Sequence, residues 1–457
     1  MTVRWLTVAV LTSLLVGCAA IGPDYAPPIA RASATAAFIE ADPAIPADPT
    51  RLEGAQLFQD PQLTALVRAA LGANTDLRIA AARLSAARAL SRQASAARGP
   101  QTTVRGGIDV DESTPDPTGA TDTFDAALDV AYQLDLFGGL RRTAQAARAD
   151  AEAEQAAAEA LRLTVAAETA RAYVEACGAA QRLAVAEAST GLLVRTGELV
   201  ARRRSEGAAS GLELAQSQTQ LERSRAEGPA IAAERAAALS RLAVLTGRTR
   251  AELPAEVSGC ATQPAVGAVI PVGDGAALLA RRPDVRAAER RLAAATARIG
   301  VARAELYPQV RLGLSAGAGG ERGSDIGFKW SASPLISWTF PNRVIAKARI
   351  ARAGAEAEAA LAAWDKATLT ALAETETALS AYARELDRNA ALVRAADAAS
   401  SGVDRATLRY REGAESFLVV LDAQRQAAEI DAMRATSDTQ LSLRRISLFL
   451  ALGGPWS

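Results

Sequence analysis

The chain has 457 residues, and its 51 Lys and Arg residues are balanced by 51 Asp and Glu residues, so no basic excess points to nucleic acid. It contains no histidine, which removes the commonest general base and the usual metal ligand. Long stretches combine Ala with Leu, Arg, Glu and Gln, which are strong helix formers. The composition therefore predicts long helices rather than an enzyme, and we expect no catalytic, cofactor-binding or metal site.

The N-terminus has the pattern of a secretion signal. Arg4 precedes an apolar run over residues 5–16, and Gly17-Cys18 follows. The run is too short for a membrane-spanning helix, so residues 1–17 are predicted to be a cleaved signal peptide. A cysteine at this point resembles the lipobox of bacterial lipoproteins, which implies a covalent lipid on Cys18; the alternative is an ordinary signal peptide with an incidental cysteine. By resemblance to the bacterial sorting rule, Ala19 at the next position favours the outer over the inner membrane.

Two further cysteines lie far apart in the sequence, Cys177 in a helical stretch and Cys260 in a Pro- and Gly-rich linker. An oxidising compartment would permit a disulfide bond between them. Because the sequence supplies no geometry, the pairing stays open, and we expect two unpaired, inert cysteines.

The sequence contains an internal duplication, which must be found before the fold is assigned. Residues 74–101 match residues 282–309 at a constant offset, and Glu206-Gly207-Ala208 matches Glu412-Gly413-Ala414. The predicted segments are the signal peptide 1–17, a lipidated extension 18–61, a first repeat 62–247, a linker 248–277 and a second repeat 278–457.

Each repeat is predicted to contain a helix, two strands, a very long helix, a tight turn and a returning helix. In the first repeat the long helix covers residues 140–205, which corresponds to roughly 100 Å at 1.5 Å per residue. The leading helix (62–98) and the returning helix (212–245) are each about half that length. Two half-length helices beside one full-length helix suit a coiled coil or a helical wall.

Four segments alternate between apolar and polar residues, as strands with two different faces do. In residues 326–340 the even positions are apolar or aromatic, and the odd positions are mostly small or polar. This alternation is typical of outer-membrane barrels, and Trp330 and Trp338 fit the aromatic girdles at the membrane surfaces. The alternative is an antiparallel sheet buried on one side in a soluble domain. The predicted strands cover approximately residues 102–111, 123–137, 309–318 and 326–340.

Four strands cannot close a membrane barrel, since the smallest barrels have eight. An open sheet edge is not tolerated in lipid, so the barrel must be shared between chains. The carboxylates on the polar face, such as Asp125 and Asp129, predict a wet lumen.

Two short motifs are not interpreted as enzymatic sites. Residues 313–317 match the nucleophile-elbow pattern around Ser315, but a chain without histidine cannot build a Ser-His-Asp triad. The glycine-rich residues 317–320 open like a dinucleotide fingerprint but are predicted to form a mobile loop between strands.

Three motifs resemble those of the TolC superfamily, in particular the lipidated outer-membrane factors of RND efflux pumps (the OprM and NodT group). They are residues 18–27 (CAAIGPDYAP), the turns Pro100-Gln101 and Pro308-Gln309, and residues 409–425 (RYREGAESFLVVLDAQR). The resemblance implies a mainly α, internally duplicated fold. Long helices form an α-barrel, and each chain adds four transmembrane β-strands. It also implies a homotrimer with a twelve-stranded barrel and a twelve-helix periplasmic tunnel.

The resemblance assigns roles to residues near the two helix-to-helix turns. It implies a periplasmic gate in which apolar, polar and charged side chains close the tunnel, formed by Tyr410, Leu418, Asp422 and Arg425. The alternative is that Asp422 and Arg425, three residues apart on one helix, form an ordinary surface pair. Some relatives place another acidic residue where this chain has Val419. The turns are expected either to dock an adaptor protein or simply to reverse the chain, and they contain Gly207, Ala208, Ser210, Gly413, Ala414 and Ser416.

The expected function is a passive exit duct for small molecules, such as drugs and toxic compounds, in the bacterial outer membrane. The expected partners are outer-membrane lipid, a periplasmic membrane-fusion adaptor and an inner-membrane RND transporter. One alternative is the outer-membrane channel of a type I protein secretion system. Another is a periplasmic coiled-coil scaffold lipoprotein without a pore, which would leave the alternating strands unexplained.

Overall fold

The computed structural model describes residues 20–40, 53–111, 121–267 and 269–456. Within them the helices are α1 Pro61–Ala73, α2 Thr75–Ala96, α3 Gly139–Ser205, α4 Gly211–Leu245, α5 Ala255–Ser258, α6 Gly275–Arg281, α7 Pro283–Ala304, α8 Val344–Arg411 and α9 Phe417–Ala451. The strands are β1 Gln101–Asp111, β2 Thr121–Leu134, β3 Gln309–Glu321 and β4 Gly327–Ser337. Short 3₁₀ helices cover Ala32–Ala34, Gly54–Gln56 and Arg250–Glu252.

The chain divides into two compact units, and each contains parts of both sequence repeats. The sheet unit comprises the N-terminal residues up to Ile29 together with Ala81–Ala157 and Asp284–Ala367. The helical unit comprises Ala30–Ala80, Ala158–Pro283 and Thr368–Ser457. Neither repeat is therefore a compact unit by itself. In the described part of the chain, no helix combines the length and apolar character needed to cross a bilayer.

The prediction of one continuous leading helix over residues 62–98 is wrong, because the helix is interrupted at Asn74. The Asn74 side-chain oxygen accepts hydrogen bonds from the backbone N–H groups of Asp76 (2.9 Å) and Leu77 (3.1 Å), which caps α2. Its amide nitrogen donates to the carbonyl oxygen of Leu245 at 3.0 Å. Asparagine is among the preferred N-cap residues, since its short side chain satisfies the free N–H groups of a first helical turn.

The second repeat has the same interruption, with a different side chain. Between α6 and α7, Arg282 donates to the carbonyl oxygen of Ala451 at 3.1 Å. Arg282 and Ala451 occupy the positions in the second repeat that Asn74 and Leu245 occupy in the first. Both repeats thus tie the break in the leading helix to the end of the returning helix.

The four strands form one antiparallel sheet in the order β1-β2-β3-β4. All four predicted strands are present, but three predicted ends are displaced. β3 ends at Glu321, three residues after the predicted end. β2 ends at Leu134 rather than near residue 137, because the Asp135 carboxylate accepts hydrogen bonds from the N–H groups of Leu140 (3.0 Å) and Arg141 (2.7 Å) and caps α3. β4 ends at Ser337, three residues before the predicted end.

The glycine-rich residues 317–320 were predicted to be a loop, and this is wrong because they belong to β3. A Cβ atom on Gly317 would lie 2.5 Å from the carbonyl oxygen of Ala126. A Cβ atom on Gly319 would lie 2.5 Å from that of Phe124. These glycines therefore mark a close approach of two strands, a use of glycine inside a sheet that resembles a loop signal in sequence.

The helical unit has a core rich in small residues from long helices. Ala166, Ala170 and Val174 of α3 are fully buried and belong to the same cluster as Leu242 of α4 and Ile446 of α9. Alanine lets helix backbones approach closely, so the long alanine-rich segments form the packed interior as well as favouring helix.

Cys177 and Cys260 form a disulfide bond, so the expectation of two unpaired cysteines is wrong. Their Cα atoms are 5.1 Å apart, and the bond joins α3 to the linker. Nearby, the Gln263 side chain donates to the carbonyl oxygen of Val174 and to the Thr439 hydroxyl, both at 3.2 Å. The linker is thereby attached to two helices of the helical unit.

Removing this disulfide is predicted to destabilise the protein. The bond closes a loop over a sequence separation of 83 residues, and for native disulfides the loss costs about 2–4 kcal/mol of unfolding free energy. We expect the Cys177→Ala/Cys260→Ala variant to unfold at a lower urea concentration, measured by circular dichroism. Wild-type protein under reducing conditions keeps both sulfur atoms and is the matched control, expected to shift equally. Equal midpoints for oxidised wild type and variant would contradict the prediction.

Candidate functional site

The sheet has one apolar face, which the pairing register aligns across the strands. Val104, Leu128, Ala316 and Trp330 lie opposite one another in a single row. The next row on this face contains Val130, Leu314 and Ala332. The two rows beyond it contain Tyr132, Leu312 and Pro334, and then Leu134, Val310 and Ile336. These side chains do not fold into a core of the chain: Val104 is 80% exposed and Trp330 is 71% exposed. The face is a continuous apolar surface that requires an apolar environment from outside the chain.

The opposite face of the sheet is polar and made of small side chains. One row contains Thr103, Asp129, Ser315 and Ser331, and the next contains Arg105, Ala127, Gly317 and Lys329. Arg105 and Asp129 form an ion pair at 2.7 Å on this face. Ser315 therefore lies within a strand, as predicted, and not on the sharp strand-to-helix turn of a nucleophile elbow.

The two tryptophans predicted for the membrane girdles have different environments. Trp330 lies within β4 on the apolar face. Trp338 lies one residue beyond β4, stacks on Phe340 with ring centroids 4.7 Å apart, and donates its indole N–H to the carbonyl oxygen of Leu306 at 3.1 Å. An aromatic ring with one satisfied polar group suits a boundary between apolar and wet surroundings.

The two predicted turns have the same backbone geometry. Gly207 and Gly413 both have φ of +74°, a conformation that glycine adopts readily and other residues rarely do. The N–H of Ala208 donates to the carbonyl oxygen of Arg203 (2.7 Å), and that of Ala414 donates to the carbonyl oxygen of Arg409 (2.9 Å). This is the Schellman arrangement, which ends a helix by satisfying its last carbonyl groups.

The helices that follow the turns begin differently. Ser210 caps α4 in a capping box, in which its hydroxyl accepts from the N–H of Glu213 (3.2 Å) and the Glu213 carboxylate accepts from the N–H of Ser210 (2.6 Å). Ser416 occupies the same position before α9 without a side-chain capping bond. The second turn therefore lacks the side-chain capping bond that the first turn has.

Buried apolar side chains pack together between the helices next to the turns, and we call them the tip cluster. Its buried members are Val200, Ala406, Tyr410, Phe417 and Val420. Tyr410 is 5% exposed, and its ring lies 5.7 Å from that of Phe417. The Arg203 guanidinium lies over the Tyr410 ring, 4.4 Å from its centroid. Sequence reasoning did not identify Arg203, because its contact depends on two helices meeting.

The other predicted gate residues lie at the surface of the chain near the tip cluster. Leu418 is 62% exposed although it is apolar. Asp422 accepts hydrogen bonds from Arg425 (2.7 Å) and Gln426 (2.9 Å) on its own helix. The structure thus groups Leu418, Asp422 and Arg425 along the first turns of α9, free to face another chain.

The N-terminal segment is fastened to the sheet unit, a contact that sequence reasoning did not predict. The N–H of Ile21 donates to the carbonyl oxygen of Phe137 at 3.1 Å. Gly22 lies against Gly300 of α7 so closely that a Cβ atom on Gly22 would be 2.6 Å from the Gly300 Cα atom. Cys18 itself lies outside the described residues.

Polar contacts complete this attachment. The Tyr25 hydroxyl donates to Glu289, which is also paired with Arg290, and Arg142 forms an ion pair with Asp24 at 2.8 Å. Burial raises the pKa of Tyr25, and the hydrogen bond to Glu289 raises it further. Burial alone would raise the pKa of Glu289, but the hydrogen bonds from Arg290 and Tyr25 outweigh it and hold that pKa below its usual value.

Comparison with protein families gives a match over both repeats. The model of a family described as outer membrane efflux protein matches residues 66–248 and 276–454. The internal duplication predicted from the sequence is therefore confirmed. In the residues that the structure describes, no group of three or more acidic or Cys side chains is arranged to hold a metal ion.

Individual proteins are similar over nearly their full length. Nodulation protein T of Rhizobium leguminosarum bv. trifolii is 29% identical over 451 residues, which are 97% of this chain and 96% of the relative. The pyoverdine export outer membrane protein OpmQ of Pseudomonas putida is 31% identical over 422 residues, 87% of each chain. Among solved structures, the outer-membrane channel OprN matches with a TM-score of 0.89 and 36% identity, over 95% of this chain and 99% of that one. The TolC-like fold and the superfamily resemblance are confirmed.

Proposed function

The chain belongs to the outer membrane efflux protein family, and from that premise we propose that it is the exit duct of a tripartite efflux pump. It would carry small molecules passively from a periplasmic pump through the outer membrane. An adaptor protein and an RND-type inner-membrane transporter would be its partners. The observation that carries the proposal is the two-faced sheet, apolar and exposed on one side, small and polar on the other.

The number of strands supports an assembly of several chains. β1 and β4 each pair with one neighbour within the described sheet, so both have an open edge. In lipid, unsatisfied backbone groups cost several kcal/mol each, which makes an open edge untenable in a membrane. Antiparallel pairing of β1 with β4 of another copy would satisfy both edges. We infer three copies, and hence twelve strands, from the family resemblance.

The position of the N-terminal segment supports a lipid anchor on Cys18. Ala20, two residues after Cys18, packs against Gly138, where a Cβ atom would lie 2.5 Å from the Ala20 Cβ atom. Gly138 follows β2 closely in the chain, so the segment is held beside one end of the sheet. A lipid on Cys18 would then enter the same membrane that surrounds the apolar face.

Reconstitution tests the function directly. Purified protein in detergent is expected to have the mass of a trimer by light scattering and to conduct ions in a planar bilayer. Cells without the gene are expected to become sensitive to toxic small molecules. A non-conducting protein would support the scaffold alternative, and unchanged sensitivity with loss of a secreted protein would support type I secretion.

The proposed gate predicts a specific conductance change. In each copy of a trimer, Asp422→Lys places a second positive charge beside Arg425. The contacts that close the tip are therefore expected to weaken, and the closed-state conductance is expected to rise. Glu429→Lys is the matched control, since it makes the same charge change two helical turns along the exposed side of α9 and is expected to have no effect. Unchanged conductance in Asp422→Lys would show that Asp422 and Arg425 are only a surface pair.

The membrane-facing sheet predicts that the same substitution has different effects at two adjacent residues. Ala332 lies on the apolar face and Ser331 on the polar face of β4. Arginine on the lipid face of a barrel costs about 2–4 kcal/mol near the membrane midplane. We expect Ala332→Arg to reduce the amount of heat-resistant oligomer in outer membranes, and Ser331→Arg to leave it unchanged. Equal behaviour of the two variants would place the sheet outside the membrane.

The lipid anchor predicts that labelled palmitate is incorporated into the wild-type protein and is lost in Cys18→Ala. The Cys177→Ala/Cys260→Ala variant keeps Cys18 and is expected to keep the label. An unlabelled wild type, assessed by autoradiography of the purified protein, would contradict the anchor.

A further inference from the structure

The two helix-to-helix turns, at Gly207 and Gly413, form the tip of the helical unit. They differ at one position that determines whether a neighbouring arginine has a carboxylate to pair with. In the second turn Arg409 pairs with Glu415, with nitrogen and oxygen 3.5 Å apart. In the first turn the equivalent residues are Arg203 and Ala209. Ala209 supplies no carboxylate, so Arg203 lacks the local partner that its counterpart has.

Arg203 instead makes contacts across to the second repeat. Its guanidinium lies 4.4 Å from the centroid of the Tyr410 ring, and one of its terminal nitrogens donates to the Tyr410 carbonyl oxygen at 3.3 Å. Attraction between a cation and an aromatic face strengthens when water is excluded, and Tyr410 is buried in the tip cluster. The Arg203 side chain thus adds a polar connection between the ends of α3 and α8, beside the apolar packing of the tip cluster.

This contact lies directly beside the second turn. Tyr410 is three residues before Gly413, and its carbonyl oxygen also accepts from the N–H of Gly413 at 3.1 Å. Ser416, which begins the next helix, has no side-chain capping bond. Arg203 therefore restrains the more weakly capped of the two turns.

We propose that Arg203 is a positioning residue that holds Tyr410 and the second turn against the first-repeat helix and so favours the closed tip. The proposal rests on the proposed function of the chain as an exit duct. The absence of a carboxylate at Ala209, where the second repeat has Glu415, leaves Arg203 available to act across the repeats.

Four variants test the proposal in the full-length protein reconstituted in planar bilayers. Arg203→Ala removes the contact, and Arg203→Lys keeps the charge on a flexible stem without the planar guanidinium. Arg409→Ala is the matched control in the second repeat. Ala209→Glu keeps Arg203 but gives it the local carboxylate that Arg409 has, in a turn whose counterpart accommodates Glu415.

We expect Arg203→Ala to raise the fraction of time spent in the high-conductance state by roughly two- to thirtyfold, the range that loss of one cation–π contact permits. Ala209→Glu should have a similar effect, Arg203→Lys a smaller one, and Arg409→Ala none. Thermal unfolding midpoints, compared with wild type, establish that the trimers remain folded.

Two results would overturn the proposal. In one, folded Arg203→Ala and Ala209→Glu channels gate as the wild type does. In the other, Arg409→Ala opens the channel as much as Arg203→Ala, which would indicate general loosening of the tip. Failure of the proposed function is distinct from both, since the wild-type protein would then not conduct at all.

Discussion

Hydrogen bonding of the sheet edges is the constraint on which the rest of the molecule depends. Four strands with an exposed apolar face and two open edges cannot remain alone in lipid, because backbone groups there have no water to bind. The same alternation that makes one face apolar keeps the other face small and polar. Pairing of the edges between copies, as proposed, would give such a sheet a favourable environment, and the polar face would then surround a shared interior.

Because the chain is duplicated, equivalent positions of the two repeats can be compared. Contacts present in both repeats maintain the fold, whereas contacts present in only one are candidates for a specialised role. The break in the leading helix is tied to the returning helix by Asn74 in one repeat and by Arg282 in the other. The side chains differ but the two connected positions are the same, so this connection maintains the fold. At the turns the backbone is identical, with φ of +74° at Gly207 and Gly413, while the neighbouring side chains differ. That difference directs Arg203 away from its own turn.

Sequence reasoning predicted those parts of the fold that depend on local periodicity. Alternation located all four strands, and the glycines of the repeated Glu-Gly-Ala motif located both turns. It failed where one residue type serves two purposes. Asn74 was read as part of a helix although it caps one, and Gly317 and Gly319 suggested a loop although they permit close strand pairing.

The candidate site was predictable only in part, for a related reason. Exposed residues such as Leu418 and Asp422 were found through a motif that is contiguous in the sequence. Contacts between distant segments left no local signal. The Cys177–Cys260 bond, the stacking of Arg203 on Tyr410 and the pairing of Tyr25 with Glu289 all join residues that only the folded chain brings together.

The weakness of the individual contacts at the tip is itself informative about gating. An exposed pair such as Asp422 and Arg425 is worth a few tenths of a kcal/mol, and a cation–π contact such as that of Arg203 about 0.5–2 kcal/mol. A partner can open a closed state only by as much as it binds the open state more tightly, and shifting an equilibrium from 1:99 to 99:1 needs about 5.5 kcal/mol. In the proposed gate, a few contacts of this size, repeated in each copy, would hold the tip closed at rest and would remain within the range that docking of another protein can overcome. A more strongly bonded tip would seal the duct permanently, so marginal contacts are what a gate opened by a partner requires.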